Sequence, residues 1–209
     1  MAKKQDIIIG LIIFGSVAIF VLFLAIFVIS LGSSNDLAIS SPGDKVGVIE
    51  LNGVITTPRG IVKQFKDFSE DESIKAIVFR IDSPGGGVAA SQEIFEQVRR
   101  VSDNDLPVVA SMGTVAASGG YYVALGADLI MANPGTTTGS IGVIAEIPNF
   151  SKLLEKIGVS FTIIKSGKYK DIGSPYREST REELSELQKW IDNGYDQFVK
   201  AIVTERELE

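Results

Sequence analysis

The sequence predicts an α/β fold with a parallel or mixed sheet, preceded by an N-terminal transmembrane helix. Three observations predict it. Short runs rich in β-branched residues, such as 75–81 (KAIVFRI), alternate with amphipathic helical segments. Two of these runs end in glycine-rich turns, and residues 7–31 form an uncharged stretch of 25 residues. Strands that alternate with helices of this length build sheets with crossover helices, and about 20 apolar residues suffice to cross a bilayer.

The elements follow in order along the chain. We expect strands at 46–51 and 54–56, joined by a hairpin turn at Asn52 and Gly53, because Asn-Gly is a strong hairpin signal. Apolar periodicity and β-branched content then predict helix 61–68, strand 75–81, helix 91–101, strand 107–112, helix 118–126, strand 129–132, helix 150–157 and strand 161–165.

The last predicted element is an amphipathic helix. Thr180 and Glu183 have the spacing of a capping box, which marks a helix N-terminus. Apolar residues then recur at steps of three and four, at Leu184, Leu187, Ile191, Tyr195, Phe198 and Ile202. This spacing places them on one face, which we expect to be buried.

The chain is predicted to have three parts. Residues 1–31 form a cytoplasmic stub and a membrane anchor, 32–44 (GSSNDLAISSPGD) a polar linker, and 45–209 the globular domain. A secretory signal peptide is the competing interpretation of the apolar run. Its apolar region is only about 7–15 residues long and ends at a small-residue cleavage site, so a retained anchor fits better.

The charges beside the apolar run predict its orientation. Lys3 and Lys4 precede the run, whereas Asp36 and Asp44 follow it. The positive-inside rule then keeps the N-terminus in the cytoplasm. The globular domain is therefore expected outside the cytoplasmic membrane, on a single-pass anchor.

The composition excludes several kinds of chemistry. The chain contains no histidine and no cysteine, so a Ser-His-Asp triad, a cysteine nucleophile, a thiolate metal site and an imidazole-bound zinc are all ruled out. The formal net charge of −6 argues against a nucleic-acid-binding protein, whose surface would be basic. We expect no metal and no cofactor, and hydrolytic chemistry has to use a serine, a threonine, a tyrosine, a lysine, a carboxylate or backbone groups.

The first glycine-rich turn is DSPGGG at 82–87, after a predicted buried strand. Three glycines in a row let backbone N–H groups approach a ligand without hindrance from a Cβ atom. Phosphate binding is one interpretation, although neither a P-loop motif nor G-x-G-x-x-G is present. A turn that simply needs an unusual φ is the other.

The second glycine-rich turn is AASGGYY at 116–122, at a predicted strand-to-helix junction. The small residues around Ser118 leave room for an exposed hydroxyl, and the N–H of Gly119 could point at an oxyanion. The alternative is that Ser118 only caps the helix. The G-x-S-x-G motif of the α/β hydrolases is absent.

A nucleophilic serine needs a base, and lysine is the candidate in a chain without histidine. The pKa of a lysine, about 10.4, has to fall by about three units for the amine to act near neutral pH, which requires burial away from carboxylates. Lys165, Lys168 and Lys170 are all candidates. Spacing does not choose among them, and an exposed, solvated charge is the ordinary role of each.

Taken together, these motifs resemble the signal peptide peptidase (protease IV) family, which has the fold of the Clp protease subunit and the crotonases, built from ββα repeats. The resemblance covers residues 46–202 and rests on the apolar N-terminal run, DSPGGG at 82–87, AASGGYY at 116–122 and GKYKDIGSP at 167–175. It implies that the family's fold and chemistry apply to the domain at 45–209.

The resemblance also implies roles for particular residues. Ser118 is the nucleophile and Lys170 the general base, with Ser140 supporting the pair. The N–H groups of Gly86 and Gly119 form the oxyanion hole, and Gly85 and Gly87 line the cleft for an extended substrate. We expect an extended segment here, in which neighbouring side chains point to opposite faces, so Asp171 should face away from Lys170.

The function implied by the resemblance is that of a membrane-anchored Ser-Lys endopeptidase. It would degrade remnant signal peptides or other membrane-associated peptides. Relatives of double length carry the serine and the lysine in different halves, so a chain of single length would share its site between the subunits of a homo-oligomeric ring. Family members also continue past the position of Glu209, so we expect the domain to be short at its C-terminus.

Three alternatives stay open at this point. A related membrane serine protease that works with stomatin-like partners has the same fold and the same Ser-Lys pair, although GKYKDIGSP favours the first family. A crotonase-like acyl-CoA hydrolase or isomerase would share the oxyanion hole, but a domain outside the cytoplasm has no access to CoA esters. A non-catalytic scaffold would keep the fold without the chemistry.

Overall fold

The computed structural model of the chain describes residues 15–16, 19–24 and 43–206. The chain divides into two compact units, Met1–Gly43 and Asp44–Glu209. In the first unit, residues 19–24 are helical and their side chains are exposed. The predicted membrane anchor at 7–31 falls mostly outside the described ranges, and within those ranges no helix is long and apolar enough to span a membrane.

A sheet of five parallel strands forms the centre of the second unit. Its strands are β1 (Lys45–Asn52), β2 (Ile74–Ser83), β3 (Val108–Ala117), β4 (Leu129–Met131) and β5 (Thr137–Gly139). The order is β1-β2-β3-β4, and β5 pairs with the last residues of β3. All of these pairings are parallel, which confirms the predicted α/β class.

Helices connect these strands and follow them. They are α1 (Arg59–Glu70), α2 (Val88–Ser102), α3 (Gly119–Ala124), α4 (Ser151–Lys156) and α5 (Arg181–Glu205). The capping box predicted at the start of α5 is present, with the Thr180 side chain accepting from the Glu183 N–H and the Glu183 carboxylate accepting from the Thr180 N–H. Both bonds satisfy N–H groups that have no partner within the helix.

The main core lies between the sheet and helices α1 and α2. Phe65 of α1 is fully buried and meets the ring of Phe79 of β2 edge-to-face, with centroids 5.1 Å apart. On the side of α2, Ile94 and Val98 are completely buried. Each such side chain contributes about 1.5–3 kcal/mol through burial, so the sheet and these two helices form the most stable part of the unit.

A second, smaller core joins α5 to α3. Phe198 of α5 packs edge-to-face on Tyr122 of α3, with ring centroids 4.9 Å apart. Phe95, Leu125 and Ile202 complete the cluster. The apolar face predicted for the last helix is therefore buried only in part, because Leu184 and Tyr195 remain exposed.

Two sequence predictions of strands are wrong. Residues 54–56 do not form a hairpin with β1, because the chain instead runs past the end of β2, with the Gly53 N–H donating to Asp82 O and the Ile55 N–H to Gly85 O. Residues 161–165 are irregular and exposed, and no strand within the described residues pairs with them. Strand β5, which has only three residues, was not predicted.

Candidate active site

The glycine-rich turns lie at the carboxyl ends of neighbouring strands. DSPGGG begins with the last two residues of β2, Ser118 follows β3, and Ser140 follows β5, which pairs with the end of β3. Ligands of open α/β sheets bind outside the carboxyl ends of the strands. The topology thus brings three motifs that are separate in the sequence to one edge of the sheet.

Ser118 occupies a strained turn between β3 and α3. Its backbone has φ 52° and ψ −123°, in the region that favours glycine. A residue held there costs about 1–3 kcal/mol, and such strain is concentrated at functional sites. The strand, strained serine and helix in succession have the geometry of a nucleophile elbow, although the G-x-S-x-G motif is absent.

The hydroxyl of Ser118 does not cap helix α3. The residue stands at the N-cap position, but its side chain makes no capping hydrogen bond. The backbone of Ser118 is bonded, with its N–H donating to Gly139 O at 2.8 Å and its carbonyl accepting from the Tyr122 N–H at 2.9 Å. The capping interpretation is therefore wrong, and the hydroxyl is left for another use.

The backbone of Gly86 directs its N–H away from its neighbour Ile55. Gly86 and Ile55 form a parallel bridge in which the Ile55 N–H donates to Gly85 O and the Gly87 N–H donates to Ile55 O. In such a bridge the flanking residues supply both bonds, so the N–H of Gly86 itself points to the opposite side. The N–H of Gly87 is already used and is not free for a substrate.

Gly86 and Gly119 are in close contact, as a two-donor oxyanion hole requires. A Cβ atom at position 119 would lie 3.3 Å from Gly86 N and 2.4 Å from the hydroxyl oxygen of Ser91. At Gly85, where φ is 98°, a Cβ atom would lie 2.6 Å from Gly119 N and 2.8 Å from the Ser118 Cβ. Only glycines allow the two turns to approach this closely.

Two cavities adjoin Ser118. The smaller has a volume of about 30 Å³ and lies among Gly86, Gly119, Tyr122, Val143, Gly194 and Phe198. The larger, about 420 Å³, is lined by Pro84, Gly86, Val88, Ser118, Ser140 and residues 141–144. Ser118, Ser140 and Gly86 therefore share one cavity, and Gly119 shares the other with Ser118.

Lys170 is not part of this group. Its side chain is exposed and lines neither of the two cavities that Ser118 lines, and residues 168–173 form a turn rather than the extended segment expected there. Across residues 43–206, its ammonium group has no hydrogen bond or ion pair. A general base has to come within hydrogen-bonding distance of the proton it takes, about 2.6–3.2 Å. Within one chain, the nucleophile and the predicted base are thus not brought together.

The other two candidate lysines are paired with carboxylates. Lys165 forms an ion pair with Asp171, and Lys168 forms one with Glu182. The hydrogen bond to Glu182 raises the pKa of Lys168, which keeps this amine charged. Of the three candidates, Lys170 is the one without an acidic partner among the described residues.

Sequence reasoning missed the walls of the small cavity. Gly194 and Phe198 come from α5, and Tyr122 comes from α3. Gly194 could have indicated this wall, because it lies inside an amphipathic helix. A glycine there costs about 1 kcal/mol of helix stability and usually has a packing or functional reason. A Cβ atom at position 194 would lie 3.3 Å from Val143 Cγ2, so the glycine lets residue 143 approach α5 closely.

Comparison with known protein families gives two matches. The sequence model of peptidase family S49 matches residues 100–209, slightly more than half of the chain. The Clp protease model matches residues 45–139. The two matches overlap at β3 and α3, the elements on either side of Ser118, and the second agrees with the parallel α/β architecture.

Several named proteins are similar in sequence. A Synechocystis protein named as a candidate protease is 48% identical over 171 residues, covering 81% of this chain and 61% of that protein. A candidate signal peptide peptidase SppA of Enterococcus faecium is 38% identical, covering 72% of this chain and 44% of that protein. The chloroplastic serine protease SPPA of Arabidopsis thaliana is 34% identical, covering 82% of this chain and 27% of that protein. The chain thus spans between about a quarter and three fifths of these relatives' lengths.

Proposed function

The chain belongs to peptidase family S49, and from this membership we propose that it is a serine endopeptidase with Ser118 as nucleophile and Lys170 as general base. The observation that carries the proposal is the surroundings of Ser118. Its hydroxyl is not used as a helix cap, and the adjoining backbones of Gly86 and Gly119 offer two N–H donors. A nucleophile beside two such donors is suited to acyl transfer.

The proposed reaction has two steps. Lys170 Nζ takes the proton of Ser118 Oγ as Oγ bonds to the scissile carbonyl carbon, and the N–H groups of Gly86 and Gly119 stabilise the oxyanion. The C–N bond then breaks, and the Lys170 ammonium returns the proton to the leaving amine. A water molecule, deprotonated by the same amine, then attacks the ester carbonyl carbon. The bond to Ser118 Oγ breaks, and Oγ takes its proton back from the Lys170 ammonium. Ser140, at the same cavity as Ser118, is proposed to orient the lysine.

We further propose that Lys170 reaches Ser118 from a neighbouring subunit of a homo-oligomeric ring. Support comes from the exposed, unpaired ammonium of Lys170 and its absence from the cavities beside Ser118. Exposed apolar side chains at Ile144, Leu153 and Ile164 would be removed from water if a neighbouring subunit covered them, which would favour association.

The proposed substrates are peptides with apolar side chains near the cleaved bond, such as remnants of signal peptides. Val88, Tyr122, Val143 and Phe198 give the small cavity beside Ser118 an apolar lining. The name of the Enterococcus relative, a signal peptide peptidase, agrees with this class. Residues 7–31 would anchor the domain to the membrane from which such peptides come, with the N-terminus in the cytoplasm and the domain outside.

A fluorophosphonate probe tests the nucleophile. The wild-type oligomer should be labelled at Ser118, because the probe reacts only with an activated serine. Ser118→Ala should abolish the label, and Lys170→Ala should slow labelling strongly while leaving the far-UV circular dichroism unchanged. A folded wild-type oligomer that takes up no label would instead support the non-catalytic scaffold.

A further inference from the structure

The carboxylate next to the proposed base is held by other partners. Asp171 follows Lys170 directly, yet its carboxylate pairs with Lys165 through Oδ1 and with Arg177 through Oδ2. The Arg177 Nε–Asp171 Oδ2 distance is 2.8 Å, and the Asp171 side chain is only 12% exposed. Both oxygens are therefore occupied by cations other than Lys170.

Arg177 is itself fixed by the first turn of α5. Its guanidinium donates to both carboxylate oxygens of Glu183, with Nη1 at 2.8 Å from Oε2. Glu183 is 4% exposed and is also the acceptor of the capping box. Arg177 Nη2 donates in addition to the backbone carbonyl of Asp171 at 3.3 Å. Such a bidentate pair sets orientation as well as charge.

Release of the Asp171 carboxylate would alter the chemistry of its neighbour. An opposite charge within about 4–6 Å stabilises an ammonium group and can raise the pKa of the amine by about 1–3 units. A general base that works near neutral pH has to lose its proton there. The charged groups that contact Asp171 are Lys165 and Arg177, and those that contact Arg177 are Asp171 and Glu183.

We propose that Arg177 is a positioning residue of the active site, and that it acts by holding the Asp171 carboxylate away from Lys170 so that the Lys170 amine can serve as base. This inference rests on the proposed function, because it assumes that Lys170 is the base. The role is electrostatic and indirect, since Arg177 lines neither cavity at Ser118. Lys165 supports the same arrangement from the other oxygen.

The test is the pH dependence of kcat/KM for an apolar peptide substrate. In Arg177→Gln the midpoint of the rising limb should move upward by about one pH unit, because the freed carboxylate can now pair with Lys170. Below the midpoint the rate should fall about tenfold, mostly in kcat. The double variant Arg177→Gln/Asp171→Asn should return the midpoint to the wild-type value, since no carboxylate is left to pair.

Glu183→Gln is the matched control. The glutamine keeps one acceptor oxygen for the Arg177 guanidinium, so Arg177 stays on Asp171 and the midpoint should stay in place. The charge of the pair is lost and the capping box is weakened, so the melting temperature should fall. If Arg177→Gln does not fold, Lys165→Gln gives the same test, because Lys165 is partly exposed and frees the other carboxylate oxygen. In Lys165→Gln the midpoint should also rise.

Two results would overturn the inference. One is an unchanged midpoint in the folded variant, Arg177→Gln or Lys165→Gln. The other is a double variant that keeps the raised midpoint of Arg177→Gln. Failure of the proposed function looks different, because Lys170→Ala would then retain hydrolysis whatever the state of Arg177.

Discussion

Ser118 and Lys170 belong to two regions of the chain that are built differently. Ser118 follows the central strand of a parallel sheet, between turns of small residues and above a fully buried core. Lys170 is itself exposed, in a turn at 168–173 whose Asp171 carboxylate is held by ion pairs to Lys165 and Arg177. The position of the nucleophile is therefore set by backbone geometry. The protonation of the proposed base is set instead by the charges around it and by whether a neighbouring subunit shields it from water.

The largest expected effect is the difference in kcat between alanine variants of two nearby lysines, Lys170 and Lys168. Lys170→Ala should lower kcat by about 10⁶-fold, the scale at which loss of the general base acts in serine proteases. Lys168→Ala is the matched control and should stay within about twofold, because its amine is exposed and paired with Glu182. Peptide hydrolysis measures both. A strong loss in Lys168→Ala with an active Lys170→Ala would exchange their roles.

The next largest expected effect is the loss of stability when the packing of α5 on α3 is disrupted. Phe198→Ala should lower the free energy of unfolding by about 3–5 kcal/mol, because a buried ring is lost and a cavity is left. Trp190, on the same helix, is 61% exposed, and Trp190→Ala should change stability by less than about 0.5 kcal/mol. Urea unfolding followed by far-UV circular dichroism compares them. Equal losses would show that α5 is not anchored through Phe198.

The close approach of the two glycine turns predicts a smaller loss of activity and stability when Gly119 is replaced. Gly119→Ala would place a Cβ atom 2.4 Å from Ser91 Oγ and 3.3 Å from Gly86 N, so the Ser91 side chain or the turn at Gly119 has to shift. We expect kcat to fall about 10²-fold as an oxyanion donor moves, and stability to fall by about 1–3 kcal/mol. Gly60→Ala is the control, since nothing lies within 4 Å of its added Cβ, and full activity in Gly119→Ala would contradict the proposed oxyanion hole.

The smallest effect concerns acid stability. Hydrogen bonds from Arg177 lower the pKa of Glu183 to about 2 and also lower the pKa of Asp171. A lowered pKa stabilises the fold above the unfolded-state value, about 4, and the stabilisation is lost as the pH falls through the folded-state value. Segment 165–183 should therefore loosen between about pH 4 and pH 2.

The single tryptophan, Trp190 in α5, can report this transition by its fluorescence. Glu183→Gln removes one of the two titrating groups and should flatten the change over the same pH window. If wild type and Glu183→Gln follow the same curve, the ion pairs of Arg177 do not control acid stability.

The sequence was sufficient for the region around Ser118 because local rules act there. Strands β1 to β3 and helices α1 to α3 were predicted from periodicity, and the motif at 116–122 marked the turn. The error at 54–56 came from the Asn-Gly signal, which describes a local turn and does not register the stronger parallel pairing of β1 with β2. Residues 53–55 therefore bond to the carboxyl end of β2 and to the turn after it, and not to β1 as a hairpin would.

The region around Lys170 could not be predicted in the same way. Residues 161–165 have strand-like composition, but a strand also needs a partner edge, and none among the described residues meets it. The ion pairs of Asp171 join residues six positions apart across a turn, which no helix or strand period encodes. Residues of α5 reach the small cavity only through tertiary packing.

Mixing two inactive variants tests the shared site most directly. Ser118→Ala and Lys170→Ala, each inactive alone, are unfolded together, reassembled and assayed for peptide hydrolysis. If Ser118 of one subunit works with Lys170 of the next, random assembly into a ring should restore about a quarter of the wild-type rate. Mixed oligomers that form normally and stay inactive would contradict a site completed by the neighbouring chain.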